Sequence, residues 1–185
     1  MISCPFFCTF TIGMTRILLT ISLIITCVII NAQSVAINDN CKLAYVDVLS
    51  LRFDDAKEKI ALERKQNSDN LFVSYLDNYI NFLEVSLSED ELYFKSIENK
   101  IDETIRKIET LDDSSRFKKY LLGNIYLQWA TVNLRFRNYI TGVIQLNKSY
   151  RLMTQNDNDF PNFFPNKITL GVLHIMIGIV PDSYQ

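Results

Sequence analysis

The chain has 185 residues, with 19 Lys and Arg against 21 Asp and Glu, and its formal net charge is −2 at neutral pH. This length fits one domain with a sizeable core, and the lack of a basic stripe argues against a nucleic-acid partner. Only 5 Gly and 4 Pro occur, which disfavours turn-rich β-sandwiches and barrels and favours long helices joined by short polar loops.

Residues 1–32 have the layout of a secretory signal peptide. An uncharged apolar run at 17–30 follows a single Arg and precedes Ala32, which matches a positive n-region, an h-region and a small residue for cleavage. Met14 is the better start, because residues 1–13 fit no part of this layout. The alternative is an uncleaved membrane anchor, although the run is short for crossing a bilayer. The sequence therefore predicts an exported, periplasmic or envelope-associated protein, with a membrane-anchored protein as the alternative.

Residues 41–70 are predicted to form one helical hairpin. Apolar residues recur every three or four positions in each half, which places each set on one helix face. These positions are Leu43, Val46, Leu49, Phe53, Ala56 and Ile60. A polar break at 52–55 turns the chain between the two helices. Because such a hairpin cannot bury its apolar face alone, further hairpins are expected to pack on it.

Five more helices are predicted beyond this hairpin, separated by polar loops. Their expected ranges are 71–87, 88–111, 117–134, 139–154 and 166–180. Ser88 and Glu91 have the S-x-x-E spacing of a capping box, which predicts a helix start at Ser88. Many apolar side chains in each range recur at helical spacing, so core packing is the expected role of most of them.

Two polar features in the C-terminal half invite a functional interpretation. The run at 155–159 is rich in Asn and Asp, but a calcium loop needs a Gly at its sharp turn and a distal Glu, so a solvated loop is expected. His174 lies in the last predicted helix, which is apolar all round and is expected to be buried. A hydrogen-bonded core histidine is therefore expected rather than a catalytic one.

Residues 52–70 resemble the second half of a tetratricopeptide repeat. That half has an aromatic residue, two acidic residues, an Ala and a large apolar residue four positions on, and the matching residues are Phe53, Asp54, Asp55, Ala56 and Ile60. Positions typical of the repeat's first helix are held by Leu43 and Ala44, and again by Leu122, Gly123 and Tyr126. The later hairpins are longer than the family's repeat, which indicates a divergent member.

Two more resemblances point to the cell envelope. The C-terminal stretch 160–181 is similar to long-hairpin relatives of tetratricopeptide proteins, which include yeast outer-membrane proteins. The leader, which ends in Asn-Ala-Gln-Ser, is similar to leaders of exported proteins of the Bacteroidetes. Together these resemblances imply an exported helical-repeat protein of the envelope and not an enzyme.

The expected fold class is all-α, with antiparallel helical hairpins stacked as a short tetratricopeptide-like solenoid after the N-terminal signal or anchor segment. The helical-repeat domain is expected over 38–185, as three hairpins and the first helix of a fourth. A truncated C-terminal end, or a partner that covers this end, is also expected, because the sequence stops where a solenoid would turn into its next helix and the last helix is apolar rather than a polar cap.

The sequence predicts a non-catalytic scaffold that binds a protein or peptide. No catalytic, cofactor or metal residues are predicted, since no nucleophile and base pair stands out and Cys41 is the one cysteine after the leader. A concave surface lined by the shorter inner helices is the expected binding site. Its candidate residues are Tyr75, Tyr79, Tyr126 and Trp129, with core packing as the alternative for each.

Overall fold

The computed structural model describes residues 34–179, and this range folds into seven α-helices. In chain order they are α1 (Asp39–Leu49), α2 (Phe53–Gln66), α3 (Leu71–Ser88), α4 (Glu91–Glu109), α5 (Arg116–Arg135), α6 (Tyr139–Asp159) and α7 (Pro165–Ile179). Within this range the only β pairing is an isolated bridge between Ser34 and Asn70. The expected all-α class is confirmed here, whereas the predicted leader at 1–32 lies outside the described residues.

Short polar side chains begin several of these helices. Asn38 accepts a hydrogen bond from the amide of Cys41 at the start of α1, and Asp90 accepts from two amides at the start of α4. Such caps satisfy amides that have no partner within the helix. The capping box predicted at Ser88 is wrong. Ser88 is the last residue of α3, and Glu89, with φ of 55°, ends that helix in the left-handed conformation. Asp90 then caps the start of α4.

Consecutive helices pack in pairs, α1 with α2, α3 with α4 and α5 with α6. Contacts between opposite ends show that two of these pairs, α1 with α2 and α5 with α6, run antiparallel. Asn38, before α1, donates to Glu63 near the end of α2 over 2.7 Å, and Lys119 at the start of α5 pairs with Asp159 at the end of α6. The odd-numbered helices also contact one another in the order α1, α3, α5, α7. This row of four helices positions the site described below.

The main core surrounds Trp129, which is 1% exposed. Its indole stacks on Phe94 with ring centroids 5.6 Å apart and meets Phe82 edge-on at 6.1 Å. The indole N–H donates to Asn78 Oδ1 over 2.9 Å, and Asn78 Nδ2 donates to Gln128 Oε1 over 2.9 Å. These two bonds satisfy the indole N–H, both polar atoms of the Asn78 amide and the Gln128 carbonyl oxygen, which offsets the cost of burying these groups.

The predicted apolar face of α1 is wrong. Leu43, Val46 and Leu49 are each about half exposed, with relative accessibilities of 54%, 51% and 52%, whereas the buried residues are Cys41, Ala44, Asp47 and Val48. Both sets recur at helical spacing, so periodicity alone does not choose between them. Small side chains such as Cys and Ala let neighbouring helices approach closely, which explains why that face is the packed one.

Helix α6 continues through 155–159, so the loop predicted there is also wrong. Asn156 is fully buried and donates to the carbonyl of Arg116 over 3.0 Å and to Asn166 Oδ1 over 3.1 Å. Asp159 and Asp157 form ion pairs with lysines of neighbouring elements. These tertiary contacts outweigh the weak helix preference of Asn and Asp.

Helix α7 is buried on one face only, contrary to the prediction. Leu173 is fully buried against α5 and α6, while Ile168 is 74% and Ile175 66% exposed. His174 is exposed and contacts the ring of Tyr150 edge-on at 5.7 Å, so the predicted core histidine is wrong. From residue 34 to 179, no helix combines the length and apolar character needed to cross a bilayer.

Candidate functional site

The four odd-numbered helices line two adjoining cavities, which we call the aromatic groove. Their volumes are about 640 and 340 Å³. Side chains that line both cavities are Tyr45, Tyr75, Tyr120, Pro165 and Ile168. The larger cavity adds Ile37, Lys42, Val46, Phe72, Arg116, Phe117 and Phe163, and the smaller adds Tyr79, Phe82, Asn124, Leu127, Gln128, Thr131, Thr169 and Val172. The groove is therefore mainly aromatic and aliphatic, with a few amides and hydroxyls.

Helix α3 supplies the floor of the groove. Its aromatic residues recur at spacings of three, four and three, which places them on one helix face. They are Phe72, Tyr75, Tyr79 and Phe82. Successive ring centroids lie 5.6, 6.0 and 6.0 Å apart, and Tyr45 of α1 reaches Tyr79 at 6.1 Å. Tilted aromatic contacts of this kind hold the rings in place before any partner arrives.

The phenols of the groove stay protonated at neutral pH. Burial raises the pKa of Tyr45 and of Tyr79, and raises that of Tyr75 well above its ordinary value. Burial likewise raises the pKa of Tyr120 to about 12, with a smaller contribution from Tyr45. A protonated phenol can donate a hydrogen bond. The groove thus combines apolar surface with hydroxyl groups that can donate to carbonyl oxygens.

The charges that line the groove have one sign. Lys42 and Arg116 line the larger cavity, and no Asp or Glu is among the described residues that line either cavity. The Arg116 guanidinium carbon lies 5.1 Å from the ring centroid of Phe117 and 5.4 Å from that of Phe163. Lys42 forms an exposed ion pair with Asp39 over 2.9 Å. The groove is therefore basic although the whole chain has a net charge of −2.

The four residues proposed from the sequence divide between the groove and the core. Tyr75 and Tyr79 lie in the groove, Tyr75 as a buried floor residue and Tyr79 half-buried. Trp129 lies in the core. Tyr126 is buried toward α6, where Lys148 Nζ donates to its hydroxyl over 2.6 Å and lies 4.2 Å from its ring centroid. Tyr126 and Trp129 therefore do not line the aromatic groove.

Sequence reasoning missed several groove residues. Tyr45 lies on the side of α1 that the predicted face did not include, and Tyr120 lies in a helix whose apolar side chains were mostly expected in the core. Tyrosines on α1, α3 and α5, three successive odd-numbered helices, are a signal that could have found both. Phe163 comes from the loop before α7, where no helical periodicity exists to predict its direction.

A buried carboxylate that does not line the groove has a structural role. Glu63 is 1% exposed and accepts from Asn38 Nδ2 over 2.7 Å and from Asn70 Nδ2 over 3.0 Å. Burial opposes its charge, but the amide donors outweigh burial and the pKa of Glu63 lies below its ordinary value. Asn70 also donates to Cys41 Sγ over 3.4 Å. This cluster joins the ends of α1, α2 and α3.

Among the described residues, three other depressions lie outside the groove, with volumes of about 500, 430 and 390 Å³, and carboxylates line each of them. The depression of about 390 Å³ lies between α2, α3 and α4. Its charges are largely paired within the protein, Arg64 with Asp77 and Lys107 with Glu103. Among the described residues, no group of three or more His, Cys, Asp or Glu side chains could hold a metal ion. The aromatic groove therefore has the surface best suited to bind a partner.

Comparison of the chain with protein-family models, with curated proteins and with solved structures found no match in any of the three.

Proposed function

We propose that this chain is a non-catalytic helical-repeat scaffold that binds an extended segment of a partner protein in the aromatic groove. The single observation that carries the proposal is that four helices, from α1 to α7, contribute side chains to one groove. In this proposal α1 to α6 are three hairpins of a short tetratricopeptide-like solenoid, and α7 is the first helix of a fourth. The odd-numbered helices then form the inner, binding face.

An extended peptide fits the chemistry of the groove. Such a segment presents apolar side chains and backbone carbonyls that have no partner within the segment. Aromatic rings offer large contact areas at a small cost in conformational entropy, and the protonated phenols donate to carbonyls. The amide side chains of Asn124 and Gln128 add further polar groups along the same wall. The cavity volumes also lie within the range of about 300–1,000 Å³ that is usual for ligand pockets.

Peptide selection followed by affinity measurement tests this function. A phage-displayed random peptide library is selected on the purified protein, and the recovered peptides are titrated by fluorescence anisotropy. Ile168→Glu is expected to weaken binding at least about tenfold, because it places a buried charge in the contact. Ile140→Glu is the matched control, since Ile140 is 80% exposed on α6 and does not line the groove. Recovery of no specific peptide, or equal effects of both variants, would contradict the proposal.

We also propose that the protein acts outside the cytoplasm, in the periplasm or envelope. This proposal rests on the apolar run at 17–30 and its flanks, which lie outside the described residues. The alternative is a membrane-anchored envelope protein that keeps this segment. Intact mass and fractionation of the natively expressed protein separate the two. A soluble product that starts near Gln33 supports export with cleavage, whereas a full-length species in the membrane pellet supports the anchor.

A further inference from the structure

The basic lining of the groove limits which partner segments can bind there. Within residues 34–179, two cations and no carboxylate line it, although acidic residues outnumber basic ones in the chain as a whole. Complementary potentials across an interface favour the correct partner and disfavour partners of the same sign. Two cations are too few for a nucleic-acid backbone, which presents a dense row of phosphates. An acidic peptide segment therefore fits the groove better than a basic or nucleic-acid partner.

Arg116 is the residue placed to recognise this acid. Three cations lie in the first turn of α5, and two of them have carboxylate partners, Lys118 with Asp113 and Lys119 with Asp159. No carboxylate of the described range forms an ion pair with Arg116. Of these three cations of α5, Arg116 is the one that lines the groove and the one without a carboxylate partner among the described residues.

The aromatic surroundings of Arg116 suit it to this role. Phe117 and Phe163 both lie close to its guanidinium, and cation–π contacts of this kind orient the group. A planar guanidinium in a fixed orientation can donate two parallel hydrogen bonds to one carboxylate. Since the two rings also line the larger cavity, apolar side chains next to the acidic residue would contact the same surface.

We propose that the partner segment carries an Asp or Glu side chain that pairs with Arg116, flanked by apolar residues that fill the larger cavity of the groove. This inference rests on the proposed function, because it names the class of peptide that the same groove binds. The acidic group that pairs with Arg116 belongs to a side chain and not to a chain terminus. The bound segment can therefore lie anywhere within a partner chain.

Peptide selection with a charge-neutral variant tests the inference. The library is displayed with its C-terminus fused to the coat protein, so that no free C-terminal carboxylate is present. The same library is selected on the wild type, on Arg116→Gln and on Arg151→Gln, whose arginine is exposed on α6 outside the groove. Peptides from the wild type and Arg151→Gln should be enriched in Asp or Glu beside apolar residues, and peptides from Arg116→Gln should lose only the acidic enrichment.

Affinity measurements give the quantitative outcome. A wild-type-selected acidic peptide should bind Arg116→Gln about tenfold more weakly, and Arg151→Gln with unchanged affinity, because only the first loses a charged hydrogen-bonding partner. Peptides that Ile168→Glu weakens but that are not enriched in Asp or Glu would overturn this inference and leave the proposed function intact. Acidic enrichment that survives Arg116→Gln would overturn the assignment to Arg116. Failure to recover any specific peptide would overturn both proposals.

Discussion

The buried network of Asn78, Gln128 and Trp129 yields a quantitative prediction, because it joins α3 to α5 beneath the groove. Asn78→Leu replaces the amide with a side chain of similar size and removes two hydrogen bonds of 2.9 Å. The Trp129 N–H and the Gln128 carbonyl then lose their partners. An unsatisfied buried group costs about 1–3 kcal/mol, and the added apolar burial offsets roughly 1 kcal/mol. With two such groups, we therefore expect a loss of about 1–5 kcal/mol in the free energy of unfolding.

A double-mutant cycle isolates the bond between Asn78 and Trp129. Trp129→Phe removes the indole N–H and part of the ring, so it should cost about 2–4 kcal/mol, mostly through lost packing. In the double variant Asn78→Leu with Trp129→Phe, no indole N–H remains to be left unsatisfied. The double variant should therefore lose about 1–2 kcal/mol less than the sum of the two single losses.

Urea unfolding followed by far-ultraviolet circular dichroism measures each loss. Asn147→Leu on the exposed side of α6 is the matched control and should change the free energy of unfolding by less than about 0.5 kcal/mol. Losses for Asn78 and Trp129 that add to within about 0.5 kcal/mol would refute the reasoning, since residues joined by this bond must be coupled.

Three other predictions concern stability and reactivity. Because the pKa of folded Glu63 lies below its ordinary value of 4.5, its contribution to stability is present above that value and is lost as pH falls through the folded pKa. Glu63→Gln should thus cost about 1–3 kcal/mol at pH 7, and the difference in urea midpoint from wild type should narrow in acid; a constant difference would contradict this. Gly142→Ala should destabilise by about 1–3 kcal/mol through overpacking, since its Cβ would lie 2.7 Å from Leu134 Cγ. Gly171→Ala is its control and should stabilise by about 0.5–1 kcal/mol, because nothing lies within 4 Å of the new atom; equal effects of both changes would rule out this account. Burial and the nearby Glu63 raise the pKa of Cys41, which is 1% exposed, so its thiol should react with a disulfide reagent only as the protein unfolds, and rapid reaction of the native protein would disagree.

Helix number and type could be predicted from the sequence, whereas several packed faces could not. In α4, Ile97, Ile101 and Ile108 recur at helical spacing and are buried, and charged residues fill the opposite face, so the packed face of this helix can be inferred from its sequence. Helix α1 has two apolar stripes at the same period, and the choice between them depends on which one α2 and α3 contact. The length of α6 likewise depends on bonds from Asn156 to distant residues, which no local preference reveals.

The candidate site was predictable only in part. Tyr75 and Tyr79 follow from the aromatic spacing of α3, since a wide aromatic face is visible in the sequence. Trp129 is also aromatic, but its indole N–H donates to Asn78 within the core, so its ring is buried there and does not line the groove. The basic end of the groove was not predictable, because Arg116 meets Phe163 only through the packing of α7 against α5 and α6.

If the aromatic groove binds a partner protein, site-specific photo-cross-linking in cells should capture that partner at the groove. A photoreactive phenylalanine analogue is placed at Ile168 in the groove or at Ile140 on α6, two exposed positions of the same residue type. We expect a discrete adduct from position 168 that Arg116→Gln weakens, and no such adduct from position 140. Equal cross-linking from both positions, or an adduct from position 140 alone, would contradict binding in the groove.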